Sequence, residues 1–319
     1  MMSAAPPASG GPGAPVADAG GFDATKARKQ WQVISRRFMR HKAAVAGMVV
    51  FVLLFLFAFV GGALWKHDYK SLNFGRYEAP SANHPFGTDR LGADMVAQTI
   101  RGLQFSLRIA IIVAVVSTII GVTLGALAGY KRSWVDTIIM RFVDLILVIP
   151  GLVIVVVLAR NSFSTVALAG GGGQSNWALV AIYLSLVFWL PTARIVRGMV
   201  LSLREKEFVE AALAMGAGTR RIVFRHIMPN TVDVVIVNAT LAVALAVLAE
   251  TAISFLGLGV KSPDTSLGLM ISQNQNELSL HPWLFFIPFT FIVLLSLSIN
   301  FMGDGLRDAF DPRQRRVRA

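Results

Sequence analysis

Long uncharged apolar runs constrain this chain more than any other feature. Ala43 to Leu64, Ile109 to Tyr130 and Trp283 to Gly303 contain no Asp, Glu, Lys or Arg. Each is roughly 20 residues, the length that carries a helix across a hydrocarbon layer at about 1.5 Å per residue. Backbone N–H and C=O groups cannot stay unpaired in hydrocarbon, so runs of this kind are helical. Three further runs, about Val135 to Ala159, Trp177 to Met199 and Val234 to Leu258, have similar length but carry isolated charges, among them Arg141, Asp144, Arg194, Arg197 and Glu250. Such charges are costly beside lipid, which places these three runs inside a bundle. The expectation is an all-α polytopic membrane protein with six transmembrane helices.

Composition supports that reading. Hydrophobic residues make up 55% of the 319 and charged residues 15%, against roughly 25% charged in soluble proteins. There is no cysteine, which removes a disulfide scaffold, thiolate nucleophiles and Cys-based metal centres. The formal charge of +12 surrounds the apolar segments and does not line one polar face, so nucleic acid is not an expected partner. Its distribution also sets orientation. With both termini inside, about 19 of the 30 Lys and Arg fall on the cytoplasmic side and about 7 outside, the remaining four being Arg108, Arg141, Arg194 and Arg197.

The expected organisation runs in order. Residues 1–25, rich in Ala, Pro and Gly, make a disordered cytoplasmic tail. Residues 26–42 form a basic amphipathic segment, with Trp31, Ile34 and Phe38 on one helical face, lying on membrane lipid. The first span follows over 43–64, and 65–102 is an extracytoplasmic segment. A core of five transmembrane helices occupies 103–306, and a basic cytoplasmic tail ends the chain at 307–319.

Within that core, hydropathy falls between Leu203 and Pro229. Phe208, Ala211, Ala212 and Met215 recur at i, i+3, i+4 and i+7, and Gly216-Ala217-Gly218 then suits a helix stop and turn. Thr219 is expected to cap a second helix bearing Arg220, Arg221 and Arg225 beside Ile222, Val223 and Ile227, limited by Pro229. The pattern fits either an amphipathic hairpin on the lipid surface or a knob that docks a cytosolic partner.

Here the sequence resembles a known family. Glu210-Ala211-Ala212-Leu213-Ala214-Met215-Gly216, running on to Arg225-His226-Ile227-Met228-Pro229-Asn230, resembles the EAA loop of ABC-importer permeases. More narrowly it is similar to the C-type subunit of the dipeptide/oligopeptide/nickel permeases, whose loop ends in "RHILPN"; Met228 replaces Leu and keeps the apolar volume. His84-Pro85-Phe86-Gly87-Thr88-Asp89-Arg90-Leu91-Gly92-Ala93-Asp94 is similar to that family's "HPFGTDxLGRD", with Ala93 in place of Arg, and Ala97-Gln98 stands for a usual Ser-Arg. Glu250-Thr251 with Ser254 to Gly259 resembles "ETSLSFLGLG", and Gly303 to Asp308 with Asp311-Pro312-Arg313 resembles "GDGLRDxLDPR". These matches run in order from about residue 30 to 313.

The resemblance implies the permease subunit of an ATP-driven importer for dipeptides or oligopeptides. Its implied partners are a homologous B-type permease subunit, two cytoplasmic ATPase subunits that bind ATP and Mg, an extracytoplasmic solute-binding protein, and the peptide itself. This chain would then hold no cofactor, metal or catalytic residue. Glu210, Ala211, Ala212, Gly216, Arg220, Arg221 and Pro229 would form the ATPase-docking coupling loop, Glu210 supplying charge, the two alanines close approach and Gly216 the turn.

The charges within spans have two readings each. Arg108 and Glu250 lie at comparable depth, roughly 8 to 12 Å below the outer boundary. They either pair near an outer gate, or Arg108 snorkels outward while Glu250 bonds hydroxyls or backbone. Asp144 has Arg141 within one helical turn and Arg194 across the bundle, a structural grouping and not a proton relay.

Two other classes remain as alternatives. An ion-coupled secondary transporter for a small solute calls for repeated halves and ionisable groups near the bilayer centre. An intramembrane enzyme calls for a nucleophile and base or a metal set, yet all five histidines fall outside the spans and neither HExxH nor GxxxxGK[ST] occurs.

Overall fold

A computed structural model of the chain describes residues 30–168, 177–262 and 264–310. The expected N-terminal tail, most of the C-terminal tail and Gly170–Gly173 lie outside them. Among the described residues the secondary structure is helical, with a single isolated bridge between Thr88 and Asp94. A short amphipathic helix α1 (Gln30–Arg40) leads into α2 (Lys42–Leu64), whose last turns widen to a π-helix over Phe57–Gly61. Then come α3 (Met95–Lys131), α4 (Trp134–Val148), α5 (Gly151–Leu168), α6 (Trp177–Arg204) and the short α7 (Glu207–Ala214). After a returning segment, α8 (Val232–Phe255), α9 (Leu267–Asn274) and α10 (Trp283–Phe310) complete the order.

Helices α2, α3, α6, α8 and α10 are long and apolar enough to cross a membrane. The third span differs from its expected form. Instead of one rod it is two helices, α4 and α5, meeting at 86° across Ile149-Pro150. Proline has no N–H to donate and disfavours helical geometry in the residue before it, so the helix ends where the sequence places Pro150. Helix α3 also begins at Met95, well before the apolar run at Ile109. Asp94 caps it by accepting from Ala97 N at 3.0 Å, and also accepts Trp65 Nε1 and the His84 ring nitrogen, each at 2.8 Å. The His84–Asp94 stretch is thus a folded turn that starts the longest helix.

The most extensive helix pair is α3 with α6, and glycine makes it close. Gly121, Gly125 and Gly129 recur every fourth residue and so share a face. A methyl group on them would fall 2.8 Å from Trp189 O, 2.5 Å from Ala193 O and 2.8 Å from Arg197 O respectively. Between apolar helices in lipid, such small-residue stripes let dispersion and weak polar contacts hold backbones together. Helix α2 approaches α10 in the same way through Gly47, 2.7 Å by this measure from Ser298 O. At the same end Gly305 of α10 admits Ala44 and Phe38, and His41 lies 3.4 Å from Asp308, so α1 is clamped to the bundle. The main core gathers Leu107, Val113, Leu184, Val247, Ile253 and Leu295 from α3, α6, α8 and α10.

Candidate functional site

The expected hairpin between α6 and α8 is present and protrudes from one end of the bundle. Helix α7 stops in a Schellman arrangement: Gly216 N donates to Leu213 O at 2.9 Å and Ala217 N to Ala212 O at 3.0 Å. Gly216 sits at φ +80 in open space, a left-handed conformation that costs a residue with a Cβ roughly 1 kcal/mol or more.

The second half departs from the expected capped α-helix. Gly218, not Thr219, is the N-cap, and its carbonyl accepts from Ile222 N at 3.1 Å. Thr219 is already the first helical residue. One α-turn at Thr219–Arg221 widens into a π-helix over Ile222–Ile227 and closes in a 3-10 turn at Met228–Asn230. Pro229 accounts for this, because it withdraws a donor from the helical ladder. Asn230 compensates by donating its side-chain amide to His226 O at 2.6 Å.

Burial sorts the hairpin into a root and a tip. Val209, Ala212, Ile222 and Ile227 are almost wholly buried against Ala126 of α3 and Val196 and Val200 of α6. The face expected from Phe208, Ala211, Ala212 and Met215 is therefore only partly right. Ala212 is rooted and the other three point outward, because the bundle contacts α7 along the Val209–Ala212 line. Each large root residue contributes about 1.5–3 kcal/mol by leaving water. The tip keeps Met215 81%, Phe224 65% and Leu213 51% exposed. Around these apolar groups stand Glu210, Arg220, Arg221 and Arg225, all exposed, with Ala211 and Pro229 also at the surface. Arg204 donates to Tyr130 O and Arg132 pairs with Glu205, which fastens the ends of α3 and α6 beneath the hairpin.

The charges inside the bundle are arranged differently from the first of the two expected readings. Arg108 and Glu250 do not form an ion pair. Glu250 is fully buried and accepts from Ser254 Oγ on its own helix at 2.6 Å and from Ser106 Oγ of α3 at 3.0 Å. Ser266, capping α9, extends the chain of hydroxyls to Ser254 at 3.3 Å. Arg108, only two residues from Ser106, is rotated about 200° round α3 and lies exposed over the Phe105 ring at 5.5 Å. The alternative, outward Arg108 and hydroxyl-bound Glu250, is the observed one. Asp144 pairs with Arg194 of α6, while Arg141 has no ion-pair partner among the described residues.

Sequence reasoning missed several partners. Arg197 makes a bidentate pair with Asp136 at 2.5 and 2.7 Å, tying α4 to α6. Arg101 pairs with Asp264 at 3.1 Å while stacked on Phe105 and Tyr69. At the end opposite the hairpin, Tyr77 donates to Glu277 at 3.0 Å and stacks on His281. Partial burial and then the Glu277 carboxylate raise the Tyr77 phenol above its usual value, so it stays a donor. The Asp136 to Arg197 match was open to inspection as opposite charges near the same ends of adjacent runs. No group of three or more His, Asp or Glu with metal-binding geometry occurs among the described residues.

Comparison with known proteins adds to this geometry. Residues 121–316 match the family described as binding-protein-dependent transport system inner membrane component. Residues 29–85 match the N-terminal TM domain of oligopeptide transport permease C. The oligopeptide transport system permease protein OppC of Mycobacterium tuberculosis is 40% identical over 287 residues, covering 90% of this chain and 96% of its own. The protein of the same name from Haemophilus influenzae is 38% identical over 291 residues, 90% of each chain. A putative peptide permease protein of Brucella suis is 40% identical over 287 residues, 88% of this chain and 90% of its own.

Proposed function

The chain belongs to the binding-protein-dependent transport system inner membrane components, and on that premise we propose that it is a permease subunit of an ATP-driven peptide importer. Its relatives carry oligopeptide and peptide transport in their names. In this reading it forms part of the path for dipeptides or oligopeptides beside a homologous permease subunit. Two ATPase subunits bind ATP and Mg, and an extracytoplasmic binding protein delivers the cargo. The hairpin end, with α1 and the basic surroundings of both termini, faces the cytoplasm, as the positive charge distribution favours.

One observation carries the mechanism: the hairpin has an exposed apolar tip and a buried root. The tip offers Phe208, Leu213, Met215 and Phe224 to a partner, with Glu210 and the arginines around them for registration. The root packs on α3 and α6. A displacement of the tip is therefore transmitted to both helices, because a close-packed root cannot absorb it by local compression. ATP-driven closure of the partner would bias the bundle between two arrangements, the requirement for moving cargo without chemistry on it.

The test is uptake by the complete transporter. Glu210→Lys reverses the tip's acidic charge and Gly216→Pro cannot adopt φ +80. Both are expected to lower ATP-dependent peptide uptake at least tenfold while the protein remains in the membrane. Wild-type uptake in both variants would remove the hairpin from the coupling path.

A further inference from the structure

We infer that the face shared by α4 and α6 around Asp144 lines a water-filled path and not lipid, and that Arg141 and Arg194 receive the C-terminal carboxylate of a passing peptide there. The inference rests on the permease reading above. Asp144 lies about 15 Å along α4 from Trp134, and Arg194 about 15 Å along α6 from its Arg204 end. Asp144 is thus near the middle of its apolar run, and Arg194 lies inside its own run about 7–8 Å from the Met199 end. Both side chains are 54% exposed.

Depth and exposure together favour water over lipid at this spot. An arginine reaches toward the interface on its long stem, but aspartate has one methylene and cannot. Arg194 supplies one polar neighbour to the Asp144 carboxylate, and water is the best match for the half of its surface that remains exposed. The neighbouring charge points the same way. Arg141, one turn before Asp144 on α4, is exposed and without an ion-pair partner among the described residues. The face thus carries two arginines against one aspartate, and the complementary cargo group is an anion.

A second pair on the same helices supplies the contrast. Arg197 and Asp136, roughly 5–12 Å nearer the hairpin, are 32% and 14% exposed and bound through two hydrogen bonds. That pair is a fixed clasp between α4 and α6. The Asp144–Arg194 pair is open to solvent, where a peptide carboxylate is chemically equivalent to the Asp144 carboxylate. Exchange of one for the other at Arg194 leaves the charge balance unchanged, and it frees Asp144 to take the N-terminal ammonium of a short peptide.

The absence of cysteine allows a direct test in the assembled transporter. Arg141→Cys, Asp144→Cys and Phe142→Cys each introduce one thiol, Phe142 lying about 160° round the helix from Asp144. With a charged, membrane-impermeant thiol reagent, the first two are expected to react at least tenfold faster than the third, and peptide turnover should slow them. Equal, slow labelling at all three positions, with ATP-dependent uptake retained, would overturn the water-lined face. For the carboxylate, Arg141→Gln and Arg194→Gln are compared with wild type on free and C-amidated forms of one peptide. The uptake ratio of free to amidated peptide, normalised to wild type, should fall severalfold while ATP hydrolysis persists. An equal fall for both forms would mean a structural role only. Absence of ATP-dependent uptake in the wild-type assembly would instead be failure of the permease reading itself.

Discussion

Glu250 illustrates what single residues contribute here. It is buried without a cation, and two serine hydroxyls donate to it. Glu250→Gln keeps the length and one acceptor oxygen, and the second serine hydroxyl can turn to accept from the new amide, so it is expected to change the stability of the complex by no more than about 1 kcal/mol. Glu250→Ala leaves a cavity and two hydroxyls without their acceptor, a loss of about 2–4 kcal/mol. Thermal unfolding of the detergent-solubilised complex measures both, and equal losses would mean the carboxyl carries a role beyond accepting these bonds. The sequence located the buried charge and, in one of its two readings, hydroxyl partners, but did not say which hydroxyls. Arg108 stands at the right depth, yet helix rotation, which depth does not reveal, turns it outward and presents Ser106 instead. The Arg194 partner of Asp144 was legible because both charges stand out against apolar surroundings.

At the scale of elements, apolar length picked out the five helices long enough to cross and the bent α4–α5 pair, since a membrane imposes one length on all its spans. It did not reveal how the crossings pack or where one breaks. The charges in the run from Val135 to Ala159 do not mark its break, and only Pro150 signals the 86° bend within it. The glycine stripe of α3 was equally readable as a four-residue spacing, but its counterpart on α6, the carbonyls of Trp189, Ala193 and Arg197 with the β-branched side chains of Thr192, Val196 and Val200, does not stand out from other apolar helix faces. That stripe makes a sharp prediction. Gly125→Leu forces side-chain atoms into Ala193 O, 2.5 Å from the first added carbon, and is expected to abolish recovery of monodisperse protein. Gly198→Ala, on α6 with nothing within 4 Å, is expected to be recovered like wild type. Size-exclusion profiles of the two variants check this, and similar profiles would mean α3 and α6 do not meet through the stripe. In the hairpin, the helix stop at Gly216 followed from composition. The π-widening did not, because it depends on how Pro229 and Asn230 share the missing backbone bonds.

For the whole molecule, the root-and-tip hairpin and the closely packed α3–α6 pair are continuous from a surface knob into the bundle. The central claim is that this knob stands on the cytoplasmic side and meets the ATPase. Met215→Cys, 81% exposed in a chain otherwise free of cysteine, reports on both points. In intact cells a membrane-impermeant maleimide should leave this thiol unmodified, and in the assembled transporter a short bifunctional crosslinker should join it to an ATPase subunit in a nucleotide-dependent way. Modification from outside the cell, or no crosslink to an ATPase subunit in any nucleotide state, would contradict the claim.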